Sequence, residues 1–108
     1  MDFNHFLTSY MPDPSIGSKT HFQNMVDQAV LAENLGYKTV SIPEHHLVND
    51  LMMPSPLQMA VKIATLTKKI NISTSVVVLP LHDMRTFAGE VATADILTEG
   101  RLILGVGR

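Results

Sequence analysis

The sequence predicts an α/β fold of parallel strands joined by helices. Two observations carry that expectation. Along the 108 residues, short β-branched or continuously apolar runs alternate with stretches whose apolar residues recur every three or four positions. The two kinds of segment alternate one for one, in the order β-α-β-α-β-α-β. Such alternation implies right-handed βαβ crossovers, with helices covering the sheet. Two architectures satisfy that order. One is a doubly wound open sheet; the other is the first part of a TIM (β/α)8 barrel, whose closure takes about 250 residues.

"FNHFLT", Phe3–Thr8, reads as a short opening strand. "SYMPDPSIGS" then supplies prolines, a glycine and serines, which is loop chemistry. From Ser18 the period changes: Phe22, Met25, Val26, Ala29, Val30 and Ala32 share one helical face. Ser18 or Thr20 can cap that helix, and Gly36 can take the left-handed position that ends it. "YKTVSI", Tyr37–Ile42, is aromatic and β-branched, hence a second strand. Ser55-Pro56 reads as a cap followed by a first-turn proline, opening a helix that carries Leu57, Ala60, Ile63, Ala64 and Thr67. "INISTSVVVLP", Ile70–Pro80, is the third strand; its apolar centre, Val76 to Leu79, suits cover on both faces. Asp83 can cap a third helix reaching about Thr98, with Phe87, Val91, Ala94 and Leu97 turned inward and Gly100 closing it. "RLILGVG" begins a fourth strand, and the chain ends at Arg108.

Composition narrows the functional classes. The chain is 45% hydrophobic, enough for a core in one small domain. A formal net charge of -2 with 17% charged residues leaves no electrostatic footprint for nucleic acid or an anionic membrane surface. Cysteine is absent, which excludes disulfides and thiolate metal sites. No apolar run approaches the ~20 residues that span a bilayer. The opening "MDFNHFLTSYMPDP" has neither a basic nor a long apolar region, so no secretory signal and a cytoplasmic location are expected. The seven methionines read as core filler.

Ligand-handling residues of both architectures sit at the carboxyl ends of strands. "PEHHL" stands at such an end, so Glu44, His45 and His46 are candidates for chemistry. A metal site would draw on both histidines, with His5 and His82 in reserve, but no HxH or HExxH spacing is present and none is expected. "GVGR" is too short to read as a phosphate loop. Acid/base or charge-stabilising work remains open beside a plain solvated loop, since an imidazole donates, accepts or carries charge near neutrality.

Four stretches resemble the bacterial luciferase-like monooxygenase family: "FNHFLTSYMP", "LAENLGYKTVSIPEHHL", "INISTSVVVLPLH" and "ILTEGRLILGVGR". They cover essentially the whole chain, in order. The resemblance implies that residues 1–108 are the front part of a (β/α)8 barrel, not closed within this chain. It implies a flavin-dependent monooxygenase that takes reduced FMN from a separate flavin reductase and oxygenates a small organic substrate with O2 through a C4a-peroxyflavin. Some relatives instead use the deazaflavin F420 as dehydrogenases, and a remnant without turnover is the third alternative. Carried over by motif, His45 is the catalytic histidine and Glu44 the acid lining the flavin pocket, whereas His46 has no assigned role. Ser75-Val76 matches a non-prolyl cis peptide under the flavin ring. Arg108 matches an arginine on the flavin phosphate, and Gly107 leaves room for the ligand to approach the backbone. Many relatives carry a Pro-x-Arg step where this chain has Met84 and Thr86, which bears on the start of the third helix. Relatives of this kind are expected to form homo-oligomers when complete. Three and a half βα units leave two open edges and an uncovered inner face at Val76 and Val78, so the isolated chain is expected to be oligomeric or prone to aggregate.

Overall fold

A computed structural model describes residues 1–108. The strands are β1 (Asn4–Phe6), β2 (Thr39–Ile42), β3 (Asn71–Thr74), β4 (Val77–Val78), β5 (Leu102–Ile103) and β6 (Val106–Gly107). The helices are α1 (Ser18–Asn34), α2 (Pro56–Leu66) and α3 (Met84–Leu97), with 3-10 turns at Pro14–Ile16 and Leu79–Leu81. β1, β2, β3 and β5 form one parallel sheet in that order, and β4 pairs with β6 in a second, two-stranded parallel ladder. Strand order follows chain order, so the sheet lacks the reversal that marks a doubly wound fold. Successive helices pack on one another, α1 on α2 and α2 on α3. That is a one-sided helical layer over an open sheet. No helix is long and apolar enough to cross a membrane.

Register decides which residues the helices cover. His5, Val40, Ile72 and Leu102 form one row across the four strands, and Phe6, Ser41, Ser73 and Ile103 form the next. Neighbouring rows face opposite ways. The Val40 row belongs to the core, which joins Leu7, Ile42 and Ile70 to Met25, Val26 and Ala29 of α1 and Ala60, Ile63 and Ala64 of α2. The Ser41 row lies on the other face. There Asn4 Nδ2 donates to Ser41 Oγ (2.8 Å), while Phe6 and Ile103 are 52% and 47% exposed.

Several boundaries differ from the sequence reading. The first two strands are shorter than Phe3–Thr8 and Tyr37–Ile42. α1 starts after Gly17, whose φ of 78° makes it the cap; Ser18 lies already in the helix and makes no capping bond, nor does Thr20. At the other end Gly36 has φ 86°, and the N–H groups of Gly36 and Tyr37 donate back to Glu33 and Ala32 carbonyls, a Schellman closure. α3 forms without the Pro-x-Arg step, because Asp83 accepts from Arg85 N–H at its start. Phe87 and Ala94 are buried as expected, but Leu97 is 54% exposed, since no further element covers the last turn of α3.

Two side chains fix the turn between α2 and β3. Glu33, near the end of α1, accepts from the N–H groups of Lys68, Lys69 and Ile70 at 2.7–3.0 Å. Arg101, just before β5, donates to the carbonyls of Ala64, Thr67 and Ile70 and to Thr67 Oγ1. Its cation thus sits on carbonyls at the end of α2, where the helix dipole favours positive charge. Burial opposes ionisation of Glu33, but the three amides and the Arg101 charge outweigh it and hold the carboxyl below its usual range. Glu33→Gln replaces one accepting oxygen by an NH2 group that faces backbone donors. The expected cost is about 1–3 kcal/mol of unfolding free energy, read from urea denaturation.

Candidate functional site

The site forms where the chain leaves β2. Loop residues after β1 and β2 pair with each other: Met11 N–H donates to Asp50, Met52 N–H to Ser9, and His45 N–H to Met53 (2.8 Å). Met53 is fully buried, so this contact anchors the "PEHHL" loop to the core. His45 is half-buried and its ring makes no hydrogen bond with the protein, leaving both nitrogens available to a ligand. His46, the neighbour without an assigned role, turns toward Glu44.

Glu44 is the organiser. Its side chain is fully buried. Oε1 accepts from His46 Nε2 (2.6 Å) and from His82 Nε2 (2.8 Å), and Oε2 accepts from Val78 N–H (2.8 Å). Burial pushes the carboxyl pKa up. The bonds from His46, Val78 and His82, with the charge available at His82, outweigh that and hold it below the usual glutamate range. His82 in turn packs on Phe87 of α3, ring centroids 4.7 Å apart. One carboxylate therefore ties the end of β2 to β4 and to the turn that leads into α3. Sequence reading placed His82 only among reserve metal ligands. The signal for it was present, because His82 follows the third strand as Glu44 follows the second.

The third strand does not run unbroken from Ile70 to Pro80. It stops at Thr74, and the Ser75–Val76 peptide is cis. Pairing resumes at Val77 with a changed register: Ser73 faces Ile103, but Val77 faces Val106, so one extra residue lies on the β3–β4 side. Thr74 Oγ1 both donates to Gly105 O (2.8 Å) and accepts from Gly105 N–H (2.9 Å), replacing ladder bonds at the break. A Cβ on Gly105 would stand 2.1 Å from Thr74 O, and one on Gly107 would stand 2.7 Å from Val76 Cγ2. Glycine at both positions lets the paired strand pass. Val77 is buried, but Val76 is 40% exposed, so the apolar run is covered on one side only. Leu79 begins a 3-10 turn instead of extending the strand.

Glu44 and the Ser75–Val76 region are thus brought together through Val78. Val76 and Gly107 meet across the break. Arg108 is exposed at the end of β6. No group of three or more His, Asp or Glu side chains is arranged to hold a metal ion. A cavity of about 850 Å³ lies between α2 and α3 and reaches the site only through Val77 and His82.

The family model described as luciferase-like monooxygenase matches residues 1–108. The oxygenase component of a flavin-dependent trigonelline monooxygenase from Acinetobacter baylyi is 31% identical over 108 residues, 100% of this chain and 30% of that protein. The alkanal monooxygenase alpha chain of the Kryptophanaron alfredi symbiont is 30% identical over 109 residues, again 100% of this chain and 30% of the relative. Among solved structures, the oxygenating constituent of 3,6-diketocamphane monooxygenase from Pseudomonas putida, in complex with FMN, superposes with a TM-score of 0.91 at 25% identity, covering 99% of this chain and 29% of that one. Two F420-dependent enzymes share the fold at 20–21% identity, a likeness of fold alone. The chain spans about 30% of the length of the curated relatives it matches.

Two outcomes follow from this geometry. In Gly105→Ala the new methyl meets a backbone oxygen, so the β3–β5 and β4–β6 pairings must part; the expected loss is about 1–3 kcal/mol in denaturant unfolding. Glu44 is more acidic folded than unfolded, so its contribution is present above the unfolded value and is lost as pH falls through the folded one. The melting temperature should therefore fall on acidification below the ordinary glutamate range, and the fall should be shallower in Glu44→Gln.

Proposed function

The chain belongs to the luciferase-like monooxygenase family, and from that membership we propose that it forms the flavin-facing part of an enzyme that oxygenates a small organic substrate with O2. The cofactor is FMN, delivered reduced by a separate flavin reductase. One relative is an oxygenase component and one structural neighbour holds FMN, and both support this choice. The F420 alternative has only fold-level likeness behind it.

The observation that carries the proposal is the break in the third strand at Thr74–Val76, set beside Gly105 and Gly107 and backed by Glu44. The residues present fit a flat, partly apolar ring with a phosphate tail. Val76 offers an exposed apolar surface next to the break. The unbonded His45 ring is free to meet a polar edge. Arg108 offers a planar fork of donors suited to phosphate, and Gly107, lacking a side chain, leaves the neighbouring backbone open to close approach. Bound here, FMN supplies the oxygen chemistry, and the protein orients and shields it. His45 holds or moves a proton at its ring nitrogens and stabilises charge that develops during reaction. Glu44 is fully engaged in hydrogen bonds, so it keeps the wall in shape while the backbone it positions meets the ring. The whole domain, with residues 1–108 as its front part, closes as a (β/α)8 barrel that excludes water and assembles as a homo-oligomer.

The test is O2-dependent turnover by a complete barrel carrying these residues, supplied with reduced FMN or reduced F420. Oxygen consumption with FMN and none with F420 supports the proposal; hydride transfer from F420 without oxygen uptake sinks it. In the same protein, His45→Ala should lower kcat about 10²–10⁴-fold, the usual contribution of a positioned acid or base, while the FMN Kd stays nearly unchanged.

A further inference from the structure

We infer that His46 and His82 are a pair of positioning residues: through Glu44 they fix the Val78 N–H, and with it the backbone that follows the cis peptide. The bearing of this on flavin rests on the reading above; the geometry stands without it.

Both rings present Nε2 to the same oxygen, Oε1, at 2.6 and 2.8 Å. An ionised carboxylate only accepts, so both rings must carry a proton on Nε2, which fixes one tautomer for each. Each Nδ1 is then the basic nitrogen of a ring that is 36% (His46) or 23% (His82) exposed at its side chain. The two donors hold Oε1, and this turns Oε2 toward Val78. Losing either donor frees the carboxylate to rotate, and a fully buried carboxylate short of partners is costly.

The groups around the cluster are few. His45 follows Glu44 in the chain but bonds Met53 through its backbone. Asp83 and Arg85, beyond His82, bond to each other. Phe87 of α3 packs on the His82 ring. Val78 brings only its amide.

The test is hydrogen exchange resolved to the Val78 amide in the full chain, with Ile72 as internal reference. His82→Leu should speed Val78 exchange about tenfold or more, and His82→Gln, which keeps a side-chain N–H donor, should restore protection. Unchanged Val78 exchange in the His46→Leu, His82→Leu double variant overturns the inference. If the leucine variants exchange fast throughout, the nitrogen–proton correlation spectrum of the unaltered rings decides. A proton on Nε2 of both supports the inference, and a bare Nε2 on either at neutral pH overturns it. FMN titration of a complete barrel is read separately: failure to bind removes the flavin reading and leaves the Val78 result as it is.

Discussion

A buried carboxylate cannot be left without donors, and that single requirement organises the site. Glu44 stands just past the end of β2 with its side chain fully buried. The chain answers with three donors from three places: the loop after β2, the amide of Val78 and the turn before α3. Each bond is modest by itself. Together they convert a local need for hydrogen bonds into a long-range constraint, because none of the three donors can move without stranding the charge. The strand ends are thereby held in register by a side chain where the backbone ladder has run out.

The break in the third strand works with that constraint. Side chains alternate along a strand, so a one-residue slip between paired strands would exchange faces. Here the slip is confined to Thr74–Val76, opposite Leu104 and Gly105, and the Thr74 hydroxyl restores the bonds that the backbone loses. Beyond it Val77 is still buried while Val76 is left exposed. Glycine at 105 and 107 makes the close passage possible. The cis peptide, the two glycines and the Thr74 hydroxyl form one unit, and Glu44 closes its far end through Val78.

The sequence carried the alternation of elements plainly, because helical and strand periods are properties of neighbouring residues. The position of Glu44 and His45 followed from the strand-end rule, and the cis Ser75–Val76 peptide from family resemblance, but the break of the strand around it did not. Contacts between distant residues were not legible. His46 and His82 stand out in sequence as strand-end histidines, but nothing in the spacing of residues 44, 46 and 82 announces a shared oxygen. Glu33 and Arg101 read as ordinary charged residues near element ends. The start of α1 was misread because Ser18 and Thr20 look like caps, whereas Gly17 reaches a φ of 78° that lets the preceding turn feed the helix directly. The inward placing of Leu97 failed for another reason: periodicity names a face, but burial needs a neighbour to press on it.

The turn between α2 and β3 has a further consequence. Glu33 and Arg101 grip mainly its backbone, amides on one side and carbonyls on the other, with the Thr67 hydroxyl as the one side chain held, while the side chains of Lys68 and Lys69 point to solvent. Beyond Thr67, such a turn does not discriminate among the residues it is made of, yet it counts them. Replacing either lysine leaves the grip intact, whereas inserting or deleting one residue would bring the wrong groups under both charged side chains at once. Among descendants of this sequence the turn should therefore drift freely at residues 68 and 69 and hold its length.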